Sequence, residues 1–240
     1  MRTLVAVVSL LLVVDSAQSQ KRRAVRSPSG PPVLVAKSVV LAPSKDNTLY
    51  RLNDGSRSNG AGVHLFAGVT LSNEPRRALL AFDLAQIPKG SQVTRVVLTL
   101  QTTKTIAGTH SMALHRVTAD WGEGVSNAGF VRDGFGNASQ PGDATWIHTF
   151  FPNQRWLTAG GDFEAIPDAT ALAGLDLDAV RWESAAMIAR VQQWVDQPAT
   201  NFGWIVIGNE TRSTTAKQFD SREASEATRP SLRVEFNGRP

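Results

Sequence analysis

Apolar residues alternate with polar ones at a period of two in short stretches along most of this chain, and at a helical period in only one stretch. Val93 to Gln101 carries Val96, Leu98 and Leu100 alternating with Val97 and Thr99. Arg77 to Leu84 places Ala78, Leu80 and Phe82 on one face. The pattern recurs around Tyr50, at Val63, Leu65 and Ala67, at Met112 and Leu114, and at Leu232, Val234 and Phe236. Gly, Pro, Asn and Asp separate these stretches, which predicts half-buried strands joined by turns. Gly203 to Gly208 is instead a continuous apolar run, the pattern of a strand covered on both faces. From Trp182 to Gln197 the spacing changes: Met187, Ile188, Val191, Trp194 and Val195 fall on one helical stripe, and Pro198 ends it. A parallel sheet needs a crossover between successive strands, usually a helix. With a single helical segment, the chain is predicted to be all-β: an antiparallel two-sheet β-sandwich with one amphipathic helix packed on it. Two long irregular segments, Asp120 to Ala144 and Pro152 to Ala179, are where function is expected.

The ends of the chain read differently from its body. Arg2 precedes an apolar run from Leu4 to Val14 broken only by Ser9, and the small residues Ala17 and Ser19 follow. This is the layout of a signal peptide over residues 1–19, cleaved near Ser19–Gln20. The run is shorter than the about 20 apolar residues a membrane span needs. A secreted, extracellular or cell-surface protein with no transmembrane span in its mature form is therefore expected. Lys21, Arg22, Arg23 and Arg26 come next, then a Pro/Gly/Ser stretch to Pro32. Residues 20–43 thus read as a basic, Pro-rich segment and residues 44–240 as the folded domain. The net charge of +4 sits in the leader and this segment, because residues 27–240 hold 20 basic and 20 acidic residues. A nucleic-acid partner loses its support on that count. Val33 to Leu41 is apolar enough to pair with a sheet edge, a route to self-association. The absence of cysteine excludes disulfides, thiolate metal sites and cysteine nucleophiles.

No catalytic residues are assigned. The four histidines, His64, His110, His115 and His148, show no HExxH spacing, and there is no GxSxG elbow or phosphate-binding glycine loop. Loop oxygens at Asp46, Asn47, Asp120, Glu123 and Asp143 are the donors that a structural Ca²⁺ takes, though the same residue types also close turns on their own backbone. No cofactor is otherwise required. Sugars present flat C–H faces and outward hydroxyls, so a glycan site needs exposed rings with polar groups beside them. Trp121, Phe135, Trp146 and Trp156, with Arg132 and Arg155, lie in or beside the long loops. The alternative is that these rings plug the ends of the sandwich, a role expected more of Trp121 and Trp146, which stand in ordered motifs, than of Phe135 or Trp156. Arg222 and Glu223 are expected to form a structural ion pair, since buried charges persist when paired.

Several motifs occur in a recognisable order. Asp46-Asn47-Thr48-Leu49-Tyr50 is followed by Ser58-Asn59-Gly60-Ala61-Gly62, Leu65-Phe66-Ala67-Gly68 and Arg76 to Leu84 with Ile87-Pro88-Lys89-Gly90-Ser91. Then come His115-Arg116-Val117 to Trp121-Gly122-Glu123-Gly124, Pro141-Gly142-Asp143-Ala144-Thr145-Trp146, and Phe219-Asp220-Ser221-Arg222-Glu223 with Arg229-Pro230. Over about residues 44–236 the chain resembles the DNRLRE-domain proteins, secreted bacterial and archaeal β-sandwich modules related to a carbohydrate-binding module. The resemblance implies a jelly-roll-like fold, an extracellular location and, in some members, binding to polysaccharide or surface glycan. A structural or adhesive module of an extracellular assembly or envelope is the alternative, and a polysaccharide-degrading enzyme a third.

Overall fold

In the computed structural model of the chain, residues 35–105, 107–174 and 178–238 are described. The expected signal peptide, its cleavage point and the basic cluster at 21–26 lie outside them. The strands are β1 (Val35–Leu41), β2 (Lys45–Tyr50), β3 (Arg57–Ser58), β4 (His64–Val69), β5 (Pro75–Ala81), β6 (Gln92–Thr105) and β7 (His110–Arg116). A short helix α1 (Gly129–Arg132) runs into a 3₁₀ turn at Asp133–Phe135. Then follow β8 (Asn137–Ala138), β9 (His148–Phe150), β10 (Gln154–Arg155), β11 (Ala169–Ala173), β12 (Ala179–Trp182), helix α2 (Ala185–Asp196), β13 (Trp204–Ile207), β14 (Lys217–Asp220) and β15 (Ser231–Gly238).

All paired strands run antiparallel, and the main sheet curls back over itself as the two layers of a sandwich. One layer is built on the long β6, which takes β15 along its first half, β14 along its last residues and β12 on the opposite side. The other is built on β5, flanked by β2 and β13, with β7 and β11 beyond. β4 joins the layers: His64–Ala67 pair with β14 and Gly68–Val69 with β5. Between the layers lies the main core, including Leu80, Leu98, Leu114, Phe219 and Val234. Helix α2 closes it with Met187, Val191, Trp194 and Val195, the predicted stripe. The helix begins at Ala185 rather than Trp182, because the Ser184 side chain accepts the Met187 N–H and sets the N-cap. Trp182 ends β12 instead, fully buried, with its indole N–H donated to Met112 O at 2.9 Å.

β13 is covered on both faces, as its sequence predicts. Trp204 and Val206 point into the main core, and Ile205 joins Leu49, Leu79, Val117, Trp121, Ala144, Trp146 and Trp156 in a second core on the outer face. Two boundaries differ from the sequence reading. The sheet begins at Val35, not residue 44: β1 pairs with β15 of its own chain from Val35↔Gly238 to Leu41↔Leu232. β11 lies inside the Pro152–Ala179 segment expected to be irregular, since the alanines of Ala169–Ala173 carry little strand signal, and β12 starts at that segment's last residue. No helix among the described residues is long and apolar enough to cross a membrane.

Candidate functional site

The long loop after β7 crosses the outer face of β5 and β13, and it carries three of the four candidate rings inward. Trp121 has no exposed surface and donates its indole N–H to Phe202 O at 2.9 Å. Trp156 is buried and donates to Thr145 O at 2.9 Å. Trp146 is buried beneath the Arg77 guanidinium, 4.7 Å from the ring centroid. These three rings cap the second core and leave no face for a sugar, which corrects their assignment as ligand contacts. Arg132 and Arg155 are exposed, but neither lines a groove with the buried rings. The glycines of the Trp121–Gly124 motif have a direct cause. At Gly122 a Cβ would stand 1.8 Å from Gly142 O, and at Gly124, with φ of 74°, it would stand 1.6 Å from Asp143 Oδ1.

Of the five oxygen donors proposed for calcium, Asn47, Asp120, Glu123 and Asp143 are engaged by protein groups, and Asp46 through one carboxylate oxygen only. Asn47 donates to Glu123 O at 2.8 Å and accepts from the backbone N–H of Thr48 at 2.7 Å. Asp143 accepts from the N–H groups of Val125 at 3.0 Å and Gln140 at 2.7 Å, closing two loop turns. Asp120 accepts from Trp121 N at 2.8 Å and from Lys45 Nζ at 2.7 Å. Glu123 accepts from Asp46 N at 2.8 Å and receives a two-pronged contact from Arg222, at 3.0 and 2.9 Å. Among the described residues no group of three or more His, Asp or Glu is placed to hold a metal ion.

The structure does bring the remaining pieces together. Arg222 pairs with Glu223 at 2.9 Å, as expected, and also with Glu123, while its backbone N–H bonds Asp46 Oδ2 at 2.7 Å. This cluster ties β2, the Glu123 loop and the segment after β14. Asp46 is fully buried and its Oδ1 has no hydrogen-bond partner. Burial, reinforced by the Glu223 carboxylate, pushes the Asp46 carboxyl well above the ordinary carboxylate range. Burial raises Glu123 as well.

The fourth ring behaves differently. Phe135 is 74% exposed and forms one wall of a groove of about 360 Å³. Leu71, also exposed, stands in the lining, with Glu74 and Arg76. The floor comes from register. Phe66 of β4 pairs with Gln218 of β14, and Gln218 pairs with Lys104 of β6, so an aromatic ring, an amide and an ammonium lie in one row across three strands. Among the described residues neither the Lys104 ammonium nor the Gln218 amide has a hydrogen-bond partner, which leaves both to bond a ligand. Arg76 is held by Glu74 at 2.7 Å and lies over the Tyr50 ring. Beside the row, buried His64 bonds Asp133 through Nδ1, and its Nε2 faces a second carboxylate, Asp220 Oδ1, at 3.8 Å. Phe66, Gln218 and Lys104 escaped the sequence reading, because nothing in three distant stretches reveals that they align.

No protein-family profile matches the chain, and no curated protein matches it significantly.

Proposed function

We propose that this protein is a secreted, non-catalytic module that binds polysaccharide or cell-surface glycan in the groove beside Phe135. The carrying observation is the Phe66–Gln218–Lys104 row beneath an exposed phenylalanine. A pyranose stacks its C–H face on such a ring and offers hydroxyls to the amide and ammonium nearby. The resemblance to DNRLRE-domain proteins and the signal-peptide pattern support the same reading. The test is affinity electrophoresis of the full chain in gels containing dextran, xylan, barley β-glucan or polygalacturonate. Wild type is expected to be retarded by at least one of them and Phe135→Ala by none. Equal mobility of wild type in every gel and in a blank gel overturns the proposal.

One observation favours a second reading, a structural or adhesive module. Among the described residues β1 is a seven-residue edge strand paired on one side only, and an open edge can accept a further strand. Sedimentation would separate the readings: a monomer at high concentration, unchanged by Val40→Lys, counts against assembly through this edge.

A further inference from the structure

We infer that His64 is a positioning residue that holds the Phe135 wall of the groove to its floor through one imidazole. The inference rests on the groove reading for its link to binding, but the tie itself stands on geometry.

β-strand alternation puts His64 on the same face of β4 as Phe66, the floor ring. In register, His64 stands opposite Asp220 and Phe66 opposite Gln218. The imidazole therefore lies one step along the strands from the floor row. Its Nδ1 bonds Asp133 Oδ2, and its Nε2 faces Asp220 Oδ1. Asp133 opens the turn that carries Phe135, the wall. Asp220 ends β14, the strand that supplies Gln218. One side chain thus faces both the turn that carries the Phe135 wall and the strand that supplies Gln218 to the floor.

The turn has other ties, and they reach one side only. Tyr50 Oη donates to Asp133 O at 2.5 Å, Gly136 N–H donates to the same carbonyl at 3.0 Å, and Arg76 Nε donates to Gly134 O at 3.4 Å. The Gly136 bond closes the turn itself, and the Tyr50 and Arg76 bonds hold it to β2 and β5. Among these ties only His64 also faces β14. His64 belongs to neither hydrophobic core and is buried with the Phe130 ring packed against it, 5.4 Å between centroids. A group whose role was only to fill space there would be cheaper as an apolar residue, because a buried polar group needs its partners.

The experiment compares His64→Leu, which keeps bulk but removes both nitrogens, with His64→Asn, whose amide nitrogen occupies the place of Nδ1. Asp133→Asn serves as a third variant should the leucine fail to fold. The readouts are hydrogen exchange of the 130–138 segment in the full chain, and retardation in the four polysaccharide gels named above. A hydrogen bond to a charged group is worth about 1.5–3 kcal/mol, so exchange in His64→Leu is expected to speed roughly 10- to 100-fold. Affinity is expected to fall by roughly the same factor, and His64→Asn to recover most of both. Unchanged exchange in His64→Leu or Asp133→Asn overturns the inference, as does a His64→Asn protein no better than His64→Leu. The two readings fail separately. If wild type binds none of the gels, or Phe135→Ala binds as wild type does, the groove reading falls while exchange still decides the tie.

Discussion

The outer surface of the curled sheet has two parts with opposite fates. On β5 and β13 the outward residues are Leu79 and Ile205, paired in register, and a long loop with three tryptophans covers them. On β4, β14 and β6 the outward residues are His64, Phe66, Gln218, Asp220 and Lys104; His64 and Asp220 are buried, while Phe66, Gln218 and Lys104 line an open groove. The same loop region supplies Trp121 to one and Phe135 to the other. The difference is in what lies beneath. Apolar outward residues gain roughly 25 cal/mol for each Å² removed from water, so they recruit rings as a lid. Polar outward residues offer no such gain, and a ring above them remains on the rim.

Replacing a lid ring tests the covered face most severely. Trp121→Ala should cost about 3–5 kcal/mol of stability, because it opens a cavity under a loop with no other filler. Chemical denaturation reads this directly. A loss under about 1 kcal/mol would show that the lid is dispensable and the contrast between the faces false.

The margin of the covered face gives a smaller effect with a definite sign. Asp46 and Asn47 are neighbours on β2 and both are fully buried, yet Asn47 has partners on both amide atoms while Asp46 Oδ1 has none. With its carboxyl raised by burial, Asp46 holds its proton more tightly in the folded state than in the unfolded one. Its contribution to stability is therefore fully present below about pH 3.9, the unfolded value, and is lost as pH rises through the raised folded value. Asp46→Asn keeps the neutral form at every pH. The variant should match wild type near pH 4 and exceed it toward neutrality by about 1 kcal/mol, the usual cost of an unpaired buried polar atom. Melting the two proteins in parallel across pH checks this. A variant that is weaker at neutral pH would mean that the charge of Asp46 holds Arg222 in place.

Phe135→Ala reverses the pattern of Trp121→Ala. Its ring is exposed, so stability should move by no more than about 0.5 kcal/mol while polysaccharide retardation disappears. Loss of fold with loss of retardation would move Phe135 into the class of Trp121.

Much of this contrast could be read from residues and some could not. The run Gly203–Gly208 announced a strand buried on both faces, and so required some cover on the outer side. The stripe from Met187 to Val195 located α2, and Ser184 fixes its start for a reason visible only once the cap forms. Arg222 and Glu223 pair as their motif suggested. The motifs set Trp121 and Trp146 apart as structural, but Trp156 and Phe135 are not separable in sequence, because each is an aromatic residue in or beside a polar loop. What separates them is whether the sheet below is apolar, and that depends on strand register. Register also aligns Phe66, Gln218 and Lys104, which come from three separate stretches and carry no shared signal. Oxygen-rich loop residues likewise look alike in sequence whether they face an ion or, as Asp143 does, backbone N–H groups.

The smallest expected effect examines the open face alone. Lys104 is exposed and its ammonium has no partner among the described residues, so Lys104→Met removes no contact and should change stability by less than about 0.5 kcal/mol. Retardation should weaken, but less than in Phe135→Ala, because an ammonium at the rim competes with water for each hydroxyl while the ring offers its face at little cost. Raising salt should shrink the difference between Lys104→Met and wild type if the ammonium acts through its charge, and leave it unchanged if it acts as a simple donor. A Lys104→Met protein that loses more than about 1 kcal/mol of stability would place this residue in the scaffold, and the row across β4, β14 and β6 would then be a structural seam like the one beneath the tryptophans.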